Sequence, residues 1–193
     1  MISISLIIPT YLRQNIVLNT LKELGNQSVQ QFEVTVVDQS PTYNSNLSQY
    51  KYDEIEYKYI QIEEIGLPNA RNVGAKNSKG DILIFIDDDC IPDNNLVQSY
   101  ISLFSSADPD TWCFGGKVNE KNSDIFMEDA SIVGGWITWY GKTLKNFVSD
   151  ESGECEWAPG GNFAVKRSKF LEVGGFDKNF IGNAMLEDGD FGY

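Results

Sequence analysis

Short apolar runs recur along the first half of the chain, with helical spacing between them. Residues 2–8, 32–37, 57–62 and 82–86 have the composition of strands, and the last run is continuously apolar, which is typical of a strand buried on both faces. The order strand, helix, strand, short strand, helix, strand predicts an α/β protein with a doubly wound, mostly parallel central sheet and helices on both faces.

The ends of the predicted helices are marked by glycine and proline. Apolar residues at helical spacing over 16–24 stop before Gly25, a residue type that often follows a helix. A second helix is expected to begin near Pro68 and to run to about Lys79. Gly80 would then be its C-terminal cap.

The second half of the chain has a weaker pattern. An amphipathic helix is predicted around residues 96–104 and a strand at 112–118, after which regular spacing fades from Asn119 onward. Residues 157–167 join a glycine-rich turn to a short strand, and Ser168 is expected to cap a brief helix. The tryptophans of the intervening region are typical of core or lid packing, with stacking on a sugar ring as the alternative.

Three consecutive carboxylates, Asp87, Asp88 and Asp89, directly follow the most apolar strand. Adjacent carboxylates repel one another, so a cation or the donors of a ligand must offset their repulsion. Magnesium or manganese would take one or two carboxylates and complete its shell with water and phosphate oxygens. In extended backbone, Asp87 and Asp89 would point to one side and Asp88 to the other, which predicts an Asp-x-Asp site. A solvated acidic turn is the alternative.

Composition narrows the chemistry. The chain has 193 residues, of which 28 are acidic and 15 basic, for a net charge of −13. This balance disfavours nucleic acid as a partner and indicates that an anionic substrate needs a bridging metal. There is no histidine, so acid and base chemistry falls to carboxylates, lysine or tyrosine. The widely spaced Cys90, Cys113 and Cys155 predict neither a disulfide framework nor a structural zinc site.

Length and hydrophobic content favour a single domain over residues 1–193. The N-terminal residues 1–9 contain neither a basic leader nor a long apolar span, so no signal peptide or transmembrane helix is predicted there, and a cytoplasmic location is expected.

Seven short motifs follow one another in the order found in family-2 glycosyltransferases of GT-A fold, and the chain resembles that family over nearly its whole length. They are Ile7-Ile-Pro-Thr-Tyr11, Val36-Val-Asp-Gln-Ser40, Asn69-Ala-Arg-Asn-Val-Gly74, Phe85-Ile-Asp-Asp-Asp-Cys-Ile-Pro92, Gly160-Gly-Asn-Phe-Ala-Val-Lys-Arg167, Gly174-Gly-Phe-Asp177 and Glu187-Asp-Gly-Asp-Phe191. Each motif alone is weakly specific, whereas the ordered set is strongly specific.

The resemblance implies a nucleotide and metal site at the strand ends. The implied nucleotide-binding residues are Pro9, Thr10, Tyr11, Asp38, Arg71, Asp87 and Asp88. Asp89, together with Asp87, would ligate Mn²⁺ or Mg²⁺. The loop of Gly160, Gly161 and Asn162 would contact the acceptor or the donor sugar. From the residues alone, a turn cap is the alternative for Asp38 and a surface helix position is the alternative for Arg71, whereas a tight turn is the favoured role of the glycines.

The resemblance also implies the catalytic group. Asp188 would be the base that deprotonates the acceptor hydroxyl, with Glu187 as its nearer rival. On spacing alone, both residues are also compatible with solvated acids at a helix N-terminus.

The implied function is inverting, metal-dependent transfer of a sugar from a nucleotide-diphosphate donor, with a UDP-sugar favoured, to a saccharide or lipid-linked acceptor, in surface polysaccharide synthesis. A nucleotidyltransferase and a non-catalytic sugar-nucleotide-binding module are the alternatives. The first is disfavoured because no glycine-rich, basic phosphate loop follows the first strand.

The resemblance further implies a division into a nucleotide-sugar-binding half, 1–118, and an acceptor-side half, 119–193. Because family members continue beyond the motif at Glu187, we expect the acceptor half to be truncated at its C-terminus. Peripheral contact with a membrane would then depend on residues outside this chain. The sequence does not indicate an oligomeric state.

Overall fold

The computed structural model describes residues 2–119, 127–180 and 187–192. The strands are β1 (Ile4–Thr10), β2 (Glu33–Asp38), β3 (Glu56–Gln61), β4 (Ile82–Ile86), β5 (Cys113–Gly115), β6 (Gly134–Ile137), β7 (Thr143–Asn146) and β8 (Asn162–Lys166). The helices are α1 (Gln14–Leu24), α2 (Ser45–Ser48), α3 (Leu67–Lys76), α4 (Leu96–Ser106), α5 (Arg167–Glu172) and α6 (Glu187–Gly192).

Six strands form one sheet in the order β3-β2-β1-β4-β8-β5. Strand β1 pairs in parallel with β2 and β4, and β2 pairs in parallel with β3. Strand β8 runs antiparallel to both β4 and β5. The predicted mostly parallel, doubly wound sheet is therefore confirmed. A separate antiparallel hairpin of β6 and β7 lies in the region where the sequence pattern was too weak to predict strands.

The core lies on both faces of this sheet. On one face, Ile8 and Ile84 pack in the same cluster as Leu21 of α1 and Tyr100 of α4. On the other, Ile7 and Phe85 share a cluster with Ala75 of α3 and Phe170 of α5. Neighbouring residues of a strand thus enter opposite clusters, as the period of two requires. All residues of β1, β2 and β4 are buried, which explains why apolar residues predominate in β1 and β4.

Helix α3 packs closely on β1 because it carries a glycine at the contact. A Cβ at Gly74 would collide with Cγ2 of Ile7. The close approach fixes the height of α3 over the sheet and thereby the position of Arg71, one turn earlier on the same helix.

Two predicted helix ends were wrong. Helix α3 ends at Lys76 with Asn77 as its C-cap, not at Gly80. Gly80 lies against the start of β1, where a Cβ would come within 2.6 Å of the backbone nitrogen of Ser5. Ser168 is inside α5 and caps nothing, because β8 runs directly into that helix with Lys166 as the N-cap residue.

Among the described residues, no helix combines the length and the apolar character needed to cross a membrane.

Candidate active site

The carboxyl ends of the parallel strands meet at one edge of the sheet. Thr10 ends β1, Asp38 ends β2 and pairs in register with Thr10, and Asp87 follows the end of β4. Because β8 is antiparallel, its first residues reach the same edge, and they bring the loop at 160–162 with them. This edge is where ligands bind in open α/β sheets.

Asp88 is buried beneath this edge and is held by two donors. The Thr10 hydroxyl donates to its Oδ2 at 2.7 Å, and Nη1 of Arg13 lies 2.8 Å from its Oδ1. Only 5% of the Asp88 side chain is exposed. Burial raises the pKa of the Asp88 carboxyl, although Thr10 and Arg13 act in the opposite direction.

Asp89 shares the same arginine. Nη2 of Arg13 lies 2.7 Å from Oδ2 of Asp89, whose side chain is 51% exposed. Strand β4 ends at Ile86, and a turn follows in which the Cys90 amide donates to the Asp87 carbonyl. The expected alternation of the three carboxylates was therefore wrong: the turn brings Asp89 to the guanidinium that also holds Asp88.

Arg71 connects the acidic turn to the other half of the site. Its guanidinium is fully buried; Nη1 lies 2.6 Å from Oε1 of Glu187, and Nη2 lies 3.4 Å from Oδ1 of Asp87. Nη2 also donates to the Gly160 carbonyl at 2.8 Å. The guanidinium carbon stands 5.2 Å from the ring centroid of Phe176. Arg71 is thus a buried cross-link and not a surface helix residue.

Asp87 is held by a different arginine from the one that holds Asp88 and Asp89. Its side chain is 45% exposed, and Arg71 is its cationic partner. Burial is the main cause that raises the pKa of Asp87; Asp89 and Asp188 add to the rise, and Arg71 opposes it. Burial and the neighbouring carboxylates thus oppose the ionisation of Asp87, which a bound cation would favour.

The carboxylates of α6 differ from each other. Glu187 is buried in its ion pair with Arg71, and burial raises its pKa against the effect of Arg71. Asp188 is half-buried, and its Oδ2 accepts from the Gly160 amide at 3.0 Å. Its Oδ1 accepts from the amide of Gly189 at 2.9 Å. Two backbone donors thus orient Asp188, while an arginine neutralises Glu187.

The glycine loop allows these groups to meet. A Cβ at Gly160 would lie 3.0 Å from Nη2 of Arg71, and one at Gly161 would lie 2.6 Å from Oδ2 of Asp87. The Asn162 side chain is bonded within the fold, since its Oδ1 accepts from the Tyr100 hydroxyl at 2.8 Å and its Nδ2 donates to the Lys117 carbonyl. The glycines are required for close approach as well as for the turn.

The predicted nucleotide end of the site has a buried acid. Asp38 is fully buried; its Oδ1 accepts from the Ser40 amide and its Oδ2 from the Tyr59 hydroxyl, each at 2.8 Å. Burial and the bond to Asp38 raise the pKa of Tyr59 to about 12. Pro9 is buried in β1, whereas Tyr11 is 39% exposed at the edge. The structure therefore gives Asp38 a turn-capping contact, and its contact with a nucleotide stays a prediction.

The aromatic residues of the second half are divided between packing and exposure. Trp157 is buried and lies edge-on to Phe147 with ring centroids 4.9 Å apart. Trp139 is 95% exposed. Beside α6, a cavity of about 310 Å³ is lined by aromatic side chains, including Trp157 and Phe191, and by Asp188.

Two side chains that the sequence pattern did not single out belong to the site. Arg13 holds two of the three aspartates, and Tyr59 holds Asp38. Arg13 stands two residues after a predicted nucleotide residue, Tyr11, which is the signal that could have drawn attention to it. For Tyr59 the only signal was the register of β3 against β2, which the sequence does not show.

The residues present fit a divalent cation that is shared with a substrate. Asp87 and Asp89 offer hard carboxylate oxygens on half-exposed side chains at the cleft. In the described ranges, no group of three or more Asp, Glu, His or Cys side chains is arranged to hold a metal. Magnesium and manganese commonly take one or two carboxylates and complete their shell with water and phosphate oxygens, so a pair is sufficient.

Sequence comparison identifies the family of the chain. Residues 5–176 match the family described as Glycosyl transferase family 2. Validoxylamine A glucosyltransferase of Streptomyces hygroscopicus subsp. jinggangensis is 26% identical to the chain over 213 residues, which cover 98% of this chain and 50% of that protein. The chain thus spans about half the length of this curated relative.

Solved structures share the fold. S. aureus TarS in complex with UDP superposes with a TM-score of 0.71 at 18% identity, covering 98% of this chain and 54% of that one. The mannosyltransferase PcManGT from Pyrobaculum calidifontis, in complex with GDP-Man and Mn²⁺, gives a TM-score of 0.66 at 16% identity, covering 92% of this chain and 48% of that one. Together with the strand order, these similarities show a GT-A fold.

Proposed function

The chain belongs to glycosyl transferase family 2, and from this we propose that it carries the catalytic site of an inverting, metal-dependent glycosyltransferase. The donor is a nucleotide-diphosphate sugar, with a UDP-sugar favoured, and the acceptor is a saccharide or a lipid-linked saccharide used in surface polysaccharide synthesis. The chain spans about half the length of a curated relative, so the donor and the acceptor of the whole protein are part of the proposal.

The observation that supports this function best is the cross-link made by Arg71. One guanidinium holds Asp87 of the acidic turn, Glu187 of α6 and the Gly160 carbonyl. It thereby fixes the acidic turn, where a donor diphosphate would bind, relative to the helix that carries Asp188. Transfer of a sugar needs a donor site and a base at a fixed separation, because misplacement of reacting groups reduces rate steeply.

Asp188 is the proposed base. Its carboxylate is half-buried and oriented by the amides of Gly160 and Gly189, and it makes no ion pair in the described part of the chain. Glu187 is less suited to the role, because its carboxylate is buried and already bonded to Arg71. Asp188 would accept the proton of the acceptor hydroxyl as that oxygen attacks the anomeric carbon.

The proposed reaction is a single displacement at the anomeric carbon of the donor sugar. A bond forms between the acceptor oxygen and the anomeric carbon, and the bond from that carbon to the diphosphate oxygen breaks on the opposite side. The configuration at the anomeric carbon is inverted, the nucleoside diphosphate leaves with the bonding electron pair, and the hydroxyl proton passes to Asp188.

The proposed metal residues are Asp87 and Asp89. A divalent cation, when bound, would neutralise the donor diphosphate and its charge on departure. In a chain of net charge −13, an anionic donor is otherwise repelled. Mn²⁺ or Mg²⁺ suits the two carboxylates, and the presence of Mn²⁺ in the PcManGT complex agrees with that choice.

UDP is favoured over other nucleotides on similarity alone. TarS was solved with UDP, whereas PcManGT was solved with GDP-Man. Thr10, Tyr11 and Asp38 are the proposed contacts to the nucleotide. Because Asp38 is fully buried and accepts from the Tyr59 hydroxyl, a direct contact with a base requires its carboxylate to become accessible.

The decisive test replaces Asp188 with asparagine in the full-length protein. The amide oxygen can still accept from Gly160, so the loop should remain in place while the base is lost. We expect the transfer rate from UDP-glucose or UDP-N-acetylglucosamine to fall by about 10²- to 10⁴-fold. Affinity for UDP in the presence of Mn²⁺ should remain unchanged by calorimetry.

Asp190→Asn is the matched control, since Asp190 is an exposed residue of the same helix. It should transfer at the wild-type rate. Unchanged transfer by the Asp188 variant would remove Asp188 as the base. Release of free pyrophosphate instead of a nucleoside diphosphate would contradict glycosyl transfer itself.

A further inference from the structure

We propose that Arg13 is the resident counter-ion of the acidic turn and competes with the divalent cation for Asp89. This inference rests on the proposed function, because it concerns the same metal site. It adds a role for Arg13 in metal binding, and it concerns the affinity of the site for the metal alone.

The geometry of the guanidinium supports the first part. Nη1 of Arg13 lies 2.8 Å from Asp88, and Nη2 lies 2.7 Å from Asp89. One planar group therefore bridges two adjacent carboxylates that would otherwise repel each other. Asp87 has Arg71 as its cation at 3.4 Å. All three aspartates are thus paired with arginine.

The two carboxylates held by Arg13 are not equivalent. Asp88 is buried and has Thr10 as a second donor, so it is fixed in the fold. Asp89 is half-exposed, and Arg13 is the only hydrogen-bond partner of its side chain among the described residues. Asp89 is therefore the carboxylate that can exchange one cation for another. A divalent cation that takes its Oδ2 has to displace Nη2 of Arg13.

The backbone before Arg13 holds the side chain at this position. Leu12 has φ of 55°, the left-handed region that a bulky non-glycine residue rarely adopts, and its amide donates to the Ser40 hydroxyl at 2.9 Å. Such conformations persist only where the surroundings enforce them, and they cluster at functional sites. The turn at Leu12 leads into α1, which begins at Gln14, and leaves Arg13 beside the acidic turn.

Competition predicts that removal of Arg13 increases the affinity of the site for the metal. Removal of a side chain that merely shaped the metal site would weaken metal binding, whereas removal of a competing cation strengthens it. We expect Arg13→Gln to bind Mn²⁺ about two- to fivefold more tightly than the wild type, which corresponds to the loss of one exposed ion pair. Arg13→Lys should give a smaller change, because one ammonium cannot bridge both carboxylates with the same geometry.

The experiment measures Mn²⁺ binding without nucleotide, from the electron paramagnetic resonance signal of the free ion. Lys22→Gln is the matched control: it removes the same charge from an exposed position more than two turns further along α1, where no ion pair is formed within the described residues. Its Mn²⁺ affinity should equal that of the wild type. A second readout is the thermal unfolding midpoint, which Mn²⁺ should raise more in Arg13→Gln than in the wild type.

The possible results separate this inference from the proposed function. If the wild type binds Mn²⁺ and Arg13→Gln binds it equally or more weakly, Arg13 is not a competitor and only this inference fails. An equal gain in Lys22→Gln would attribute the effect to net charge and would also overturn it. If neither the wild type nor Arg13→Gln binds Mn²⁺ without nucleotide, this inference fails, whereas the metal dependence is decided separately by the UDP affinity measured with and without Mn²⁺.

Discussion

The amino and carboxyl ends of the central sheet both carry carboxylates, and different donors satisfy them. At the amino end, Glu33 accepts from the Ser5 hydroxyl and the Lys79 amide, and Asp81 accepts from the amide and hydroxyl of Ser3. These donors are backbone groups or short hydroxyls that the fold itself fixes. Ser5 in turn accepts from the amide of Gly80, so that the network closes.

At the carboxyl end, two long arginine side chains are added to backbone and hydroxyl donors such as the Ser40 amide and the Thr10 hydroxyl. Arg13 and Arg71 hold the acidic turn, and Arg71 also holds Glu187. The pKa of Asp87 and of Glu187 is raised by burial, while the pKa of Asp81 at the amino end is lowered by its bonds to Ser3. Local donors therefore favour ionisation of Asp81 at the amino end, whereas burial opposes the ionisation of Asp87 and Glu187 at the carboxyl end.

The largest expected effect comes from removing the buried cation of the carboxyl end. Arg71→Met keeps the volume of the side chain but leaves Glu187 buried without a partner, and only 7% of that side chain is exposed. We expect the free energy of unfolding to fall by about 3–5 kcal/mol. Urea unfolding followed by circular dichroism measures it.

A double variant distinguishes an unpaired charge from lost packing. Arg71→Met combined with Glu187→Gln removes both charges and should recover part of the stability lost in the single variant. Lys76→Met, at an exposed position of the same helix, should change stability by less than about 0.5 kcal/mol. A double variant no more stable than Arg71→Met would mean that the ion pair is not what Arg71 contributes.

The parallel half of the fold was predictable because its strands are buried on both faces. Runs such as Ile82–Ile86 favour a central strand, and the acidic turn that follows indicated the edge of the candidate site. The hairpin of β6 and β7 was not predictable, since its strands are only partly buried and include two glycines. Gly80 was misassigned because its neighbour, Ser5, is 75 residues away in the chain.

The same limit applies to the site. The motif order singled out Arg71, Asp87 and Asp188 as candidates, but it did not indicate which carboxylate each arginine holds. The pair of Arg13 and Asp88 spans 75 residues and depends on the pairing of β1 with β4. Local periodicity contains no information on such a contact. It also misled at Asp89, where a turn and not an extended strand decides the direction of the side chain.

A smaller loss of stability is expected from a substitution at the amino end of the sheet. Glu33→Gln keeps an acceptor for Ser5 and Lys79 but removes the charge that strengthens both bonds, so unfolding should become easier by about 1–2 kcal/mol. The transfer rate should not change, because the length of β2 separates Glu33 from the site by about 16 Å. Urea unfolding and a transfer assay on the same preparation measure both. A fall in transfer would show that the two ends are coupled.

The smallest effects are opposite pH dependences at the two ends. Ser3 lowers the pKa of Asp81, so the ionised carboxylate stabilises the fold above its unfolded pKa, and this contribution is lost as pH falls through the folded value. Burial raises the pKa of Glu187, so its ionisation costs stability that is fully present below the unfolded pKa and is lost as pH rises through the folded value. Relative to the wild type without metal, Asp81→Asn should therefore lose stability with rising pH, by about 0.5 kcal/mol at this exposed position. Glu187→Gln should gain stability relative to the wild type with rising pH. The loss of stability from leaving Arg71 unpaired does not depend on pH and so does not change the sign of this slope. Unfolding measured from about pH 3 to 8 spans both transitions, and slopes of the same sign would remove the electrostatic distinction between the two ends of the sheet.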